Sequence, residues 1–166
     1  MRAYVSMAEV EKVWLDAMGS GYISDREPEQ VPQYQNFTKR FVHEIRGFKV
    51  VDEWTSVSGE DFSFGRTMVW RDGFPLWVMQ YYGYYKERAI PFLKEALTEN
   101  YVRRRVFLAG RGPDFYQSRE LDLNYSNAVH QGSTFTAFTA LESIQDRSNG
   151  EHLGHHRIMG GRMCPE

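Results

Sequence analysis

Residues 62–85 read FSFGRTMVWRDGFPLWVMQYYGYY, and the fold turns on how they are read. Two alternating apolar runs flank Arg71-Asp72-Gly73. Asp-Gly tolerates the positive φ of a tight turn, so the stretch predicts a β-hairpin. In its second arm Trp77, Met79 and Tyr81 face one way, while Leu76, Val78, Gln80 and Tyr82 face the other. Both faces are largely apolar, which predicts a central strand covered on both sides.

The hairpin sits inside a longer pattern. FKVVDEWTSV, from Phe48, supplies a preceding strand, and the turn-like SGED (58–61) follows it, so a first meander spans 48–85. ERAIPFLKEALTENY then changes to helical spacing through Ile90, Leu93, Ala96 and Leu97. Pro91 is tolerable only in a first turn, which places the start of a helix over 88–101 near it. RELDLNYSNAV, STFTAFTALESIQ and GEHLGHHRIMGG make a second meander over 119–161. Gly73 and Gly83 are spaced like Gly150 and Gly160, which suggests an internal pseudo-repeat.

Upstream, SMAEVEKVWLDAMG reads as an amphipathic helix with Ser6 and Glu9 as a capping box and Gly19 as its stop. Residues 20–40 carry two prolines and no clear period, so 1–40 is expected to be a helix plus a long loop or flap. The expected architecture is α+β and a single domain over 1–166. Two three-stranded meanders form one strongly curved antiparallel sheet of about six strands, with two main helices packed on one side.

Composition removes several function classes. A net charge of −2 gives no global drive toward nucleic acid or an anionic membrane. No segment approaches the roughly 18 consecutive apolar residues that a membrane span needs. The single cysteine, Cys164, can form no internal disulfide, which suits a reducing compartment. The N-terminus lacks the apolar run of a signal peptide, so the expected location is cytoplasmic. There is no Walker loop, Rossmann glycine fingerprint or nucleophile elbow, and no cofactor is implied.

The candidate site starts from the tyrosines. Tyr81, Tyr82, Tyr84 and Tyr85 bracket Gly83, an arrangement suited to the mouth of a pocket that stacks a flat ligand. Arg66 shares a strand face with Phe62, Phe64, Met68 and Trp70, and Glu142 shares one with Phe138, Ala140 and Ile144. A charge amid apolar groups needs a partner, so a pocket holding one arginine and one carboxylate is expected. In HLGHHR, His152 and His156 would share a face with His155 pointing away, and no metal site is expected. Arg103, Arg104, Arg105 and Arg111 form a basic patch beside Tyr101 and Phe107. It could bind phosphate or simply complement a helix end, and nucleic acid is the disfavoured partner.

GRTMVWRDGFPLWVMQYYGYY, FLKEAL and RGPDFY (111–116) are followed by Phe138, Ala140, Glu142 and Ile144, then by Gly150 and Gly160-Gly161. In this order they resemble an uncharacterised bacterial family of unknown function, found alone or behind helix-turn-helix regulators of the Xre type. The likeness runs from about Leu15 to Met163. It implies a stand-alone copy of a domain that elsewhere serves as the sensing half of a regulator, and it brings no activity or catalytic residue. Thr67 stands where a carboxylate is usual in that pattern, and Met159 where a histidine is common.

The ligand-binding set expected from the sequence is Trp77, Tyr81, Tyr82, Tyr84, Arg66, Arg111, Tyr116 and Glu142, with no catalytic residue assigned. The expected function is a small-molecule-binding or sensor-like domain with an aromatic pocket. The alternatives are an acid–base enzyme using Glu142 and a histidine, or an interaction module in which the tyrosines meet a second copy of the chain.

Overall fold

The computed structural model describes residues 5–32, 37–57, 61–118 and 120–163. Its fold is α+β. Helix α1 spans Met7–Gly19 and helix α2 Ile90–Thr98. Strands β1 (Glu29–Gln30), β2 (Thr38–Ile45), β3 (Phe48–Ser56), β4 (Phe62–Arg71) and β5 (Phe74–Tyr85) precede α2. After it come β6 (Phe115–Gln117), β7 (Leu123–Val129), β8 (Ala137–Asp146) and β9 (His152–Arg162). The described residues form one antiparallel sheet in the order β1-β2-β3-β4-β5-β9-β8-β7-β6. Two meanders therefore meet along β5 and β9, the last strand of each.

The sheet has nine strands rather than about six, and it is not strongly curled. β2 lies partly in the stretch expected to be loop. Phe41, His43 and Ile45 alternate along it, and Arg46-Gly47, both at positive φ, turn it into β3. The predicted β4–β5 hairpin forms with Asp72 at φ 51° and Gly73 at φ 79°, the geometry of a type I′ turn. Ser6 caps α1 by accepting from the Glu9 amide at 3.2 Å, and Pro91 lies in the first turn of α2. Most of SGED, and Cys164, fall outside the described residues.

Both helices pack on the sheet face that carries Trp77, Met79 and Tyr81. Trp77 stacks on Phe135 at 4.7 Å, tilts against Trp14 of α1 at 5.5 Å, and donates its indole N–H to the Phe135 carbonyl. It is fully buried core, and truncating it to Ala would cost about 3–5 kcal/mol. Among the described residues no helix or second layer covers the opposite face of β5, contrary to the two-sided expectation. Phe64, Tyr82 and Met159 there are 57%, 58% and 55% exposed.

The two central strands approach unusually closely. A Cβ on Gly83 would lie 2.0 Å from the His155 carbonyl oxygen, and one on Gly160 would lie 2.1 Å from that of Val78. The recurrent glycine thus has one physical role in each meander, to let its strand seat against the other.

Candidate functional site

On the helix-covered face, the register aligns polar residues across six strands. Gly83 pairs with His156, His156 with Glu142, and Glu142 with Asn127. Asp52 pairs with Thr67, and Gly65 with Tyr81. Arg111 is delivered from outside the sheet. A π-helical turn, Glu99–Arg104, extends α2 and is closed by Arg105 at φ 52°. The chain then lies down on β7 and β8: Asn127 donates to the Leu108 carbonyl, Asn100 to the Arg111 carbonyl, and the Gly112 amide to the Tyr125 hydroxyl. A side chain at Gly112 would collide with Tyr125, which explains the glycine in RGPDFY.

Glu142 is fully buried and accepts four hydrogen bonds. They come from the Arg111 amide at 2.6 Å, Arg111 Nε at 3.1 Å, Arg111 Nη2 at 2.9 Å and the Gly112 amide at 3.2 Å. Burial opposes the Arg111 charge, yet Glu142 and the nearby tyrosines outweigh it and keep the guanidinium firmly protonated. Arg111 also lies over the Tyr81 ring at 4.9 Å.

His156 Nδ1 is 2.9 Å from Arg111 Nη2, and Nε2 is 3.1 Å from Ser63 Oγ. A guanidinium only donates, so Nδ1 accepts and the ring proton sits on Nε2, directed at Ser63. Burial, and then the Arg111 charge, hold the imidazole well below its ordinary pKa of 6.5. A serine–histidine catalytic pair needs the reverse tautomer, with a free Nε2 lone pair facing the hydroxyl.

Asp52 completes the polar wall. Its Oδ1 accepts from Thr67 at 2.7 Å and, more weakly, from the Tyr81 hydroxyl at 3.5 Å. Burial raises the carboxyl above its ordinary 3.8, against the opposing pull of Thr67, Arg111 and Tyr81. Thr67, one of the two departures from the family-like pattern, is thus the closest partner of a buried acid. Met159, the other, lies on the open face.

Arg111, His156, Ser63, Asp52, Thr67 and Tyr81 line a cavity of about 540 Å³ between the sheet and the two helices. Ile90, Leu93 and Leu97 of α2, with Met79, form its apolar wall, and Asp61 and Glu87 are exposed at its rim. Tyr85 and Tyr101 also line it. Their hydroxyls are buried, and among the described residues neither finds an acceptor for its proton, although Arg111 is close enough to that of Tyr85 to donate to it. Burial first, and then the neighbouring Glu142, push the Tyr85 phenol well above its ordinary pKa. Such a volume and mixture of walls suits a small organic ligand.

The structure divides the residues singled out in the sequence. It puts Tyr81 and Arg111 in the cavity lining, Glu142 behind Arg111 as its buried ion-pair partner, and Trp77 in the core. Tyr82, Tyr84 and Arg66 are on the open face, where Arg66 pairs with Glu53 at 3.6 Å. Tyr116 is on β6, donating to Glu95 at 2.5 Å, which pushes its pKa up to about 12. The arginine that meets the carboxylate is thus Arg111 rather than Arg66. The histidines also divide differently, because the pairing of β8 with β9 shifts register between Ile144 and Gln145. His152 and His155 lie together beside Tyr84, while His156 faces the cavity. Among the described residues, no three His, Cys, Asp or Glu side chains are placed to hold a metal ion. None of the described helices is long and apolar enough to cross a membrane.

Asp52, Tyr85, Tyr101 and His156 belong to the site but not to the set taken from sequence. Asp52 carried the signal that marked Glu142: it alternates with Val50 and Trp54 on an apolar face.

No curated protein and no solved structure matches the chain. The model of a family described as a domain of unknown function, DUF5680, matches residues 55–163. That stretch holds Arg111, Glu142 and His156 but neither Asp52 nor α1. On this match, the chain belongs to the DUF5680 family.

Proposed function

We propose that this chain is a small-molecule-binding domain, sensor-like rather than catalytic, whose site is the cavity between the sheet and its helices. One observation carries the reading. Two buried tyrosine hydroxyls, neither with a protein acceptor for its proton among the described residues, line a cavity with an apolar wall that also holds Arg111 and Asp52. Leaving a buried hydroxyl unpaired costs about 1–3 kcal/mol, an expense that a bound ligand removes. The resemblance to domains found behind Xre-type regulators points the same way, toward recognition of a small effector.

The acid–base alternative is weakened by the bonding of its two groups. Glu142 is occupied by four donors, and His156 has its basic nitrogen turned to Arg111. The test of the binding reading is a metabolite panel followed by thermal shift on the natural chain and on Leu93→Trp, which fills the cavity. Compounds that stabilise the natural chain should leave the variant unmoved. Equal stabilisation of both would remove the cavity from the account.

A second reading rests on the open face. Phe62, Phe64 and Tyr82 are exposed on adjacent strands, and Phe62 stacks on Tyr82 at 6.2 Å. A second copy of the chain could pack its own sheet against this face. Sedimentation at rising concentration tests it, and a constant monomer mass would end it.

A further inference from the structure

The charges around the cavity do not balance, and the imbalance specifies a ligand class. Arg111 and Glu142 cancel each other in one bidentate pair. His156 accepts from Arg111 and is neutral. The remaining ionisable side chains in the lining, tyrosines aside, are Asp52 in the wall and Asp61 and Glu87 at the rim, and all are acids. Among the described residues no cation reaches ion-pair distance of Asp52: Arg111 acts on it only from farther off, and its side-chain donors are the Thr67 and Tyr81 hydroxyls. An anion entering this space would find the guanidinium already taken and acids on its path.

The walls favour the opposite charge. Tyr22, Trp54 and Tyr81 line the cavity together with Asp52, and aromatic faces attract cations. Lys94, which is not in the lining, already holds its ammonium over the Tyr22 ring at 5.1 Å. The Tyr85 and Tyr101 hydroxyls, neither with an acceptor for its proton among the described residues, offer donors to a neutral acceptor atom.

Resting on the binding reading above, we propose that the ligand is a small organic amine bound as its ammonium. Its N–H groups are received by Asp52, its body lies among the aromatic rings, and a hydroxyl or carbonyl oxygen meets Tyr85 and Tyr101.

Three probes of one size separate the charge states: phenethylamine, 2-phenylethanol and phenylacetate. Each is titrated into the natural chain with ring-labelled tyrosine, and binding is read from the resonances of Tyr81, Tyr85 and Tyr101. The amine should bind about tenfold more tightly than the alcohol, as a charge-assisted bond in a buried site warrants, with phenylacetate weakest. Asp52→Asn should erase the gap between amine and alcohol while leaving the alcohol bound, which also shows that the variant is folded. Asp61→Asn combined with Glu87→Gln, both at exposed positions, should weaken the amine alone. A gap that survives Asp52→Asn overturns the inference, as does an alcohol or phenylacetate that equals the amine; either result leaves the cavity reading standing. If no probe perturbs the three tyrosines, both fail.

Discussion

Arg111 and Glu142 are joined twice, through the guanidinium and through the Arg111 backbone amide, 2.6 Å from Glu142 Oε1. The second link makes the carboxylate a staple for the loop as well as a counterion. Loop, strand β8 and, through His156, strand β9 are fixed by one buried group.

Removing one side of that pair should therefore be expensive. Glu142→Gln leaves a buried guanidinium without its charge partner and is expected to cost about 3–5 kcal/mol in urea denaturation. A double change to apolar residues, Arg111→Met with Glu142→Met, should cost less than the two single changes summed. Simple additivity would show that the two groups are not coupled as described.

His156 predicts a specific pH slope. Its folded pKa is depressed, so the stability it contributes is present above its unfolded value of 6.5 and is lost as pH falls through the folded value. Between pH 7.5 and 5 the natural chain should lose stability, and His156→Gln should flatten part of that loss. Some slope will remain, because burial and then Arg26 also lower the His43 pKa. An unchanged slope in the variant would remove His156 from the buried network.

Asp52 predicts the opposite sign. Its folded pKa is raised, so its stabilising neutral form is complete below 3.8 and is lost as pH rises through the folded value. Asp52→Asn should therefore gain in melting temperature relative to the natural chain as pH rises from 4 to 7. A difference that stays flat would mean that the acid is not desolvated.

Gly83→Ala tests the close approach of β5 and β9. With a Cβ placed 2.0 Å from a carbonyl, the central pairing must part, at an expected cost of about 3 kcal/mol or more. Circular dichroism melting reads it directly. A variant that melts like the natural chain would show that the seam can open without loss.

How much of this was legible in the sequence differs from residue to residue. The type I′ turn at Asp72-Gly73, the Ser6 cap and the position of Pro91 rest on local stereochemistry, which a sequence displays. Strand β2 was harder, since its alternation lies beside a proline-bearing stretch that dilutes the period. The open face was not legible at all. Tyr82 and Met159 look like core residues, and only the placement of both helices on one face reveals that none of the described elements covers them. At the site, Glu142 stood out as a charge among apolar neighbours. Its partner came from a loop about thirty positions earlier, and no periodicity reports such a contact.

The most direct test is native mass spectrometry of the freshly purified chain and of Leu93→Trp, each compared with its denatured form. A small non-covalent mass is expected on the natural chain and not on the cavity-filled variant. The same added mass on both proteins would place the ligand elsewhere and contradict the assignment of the site.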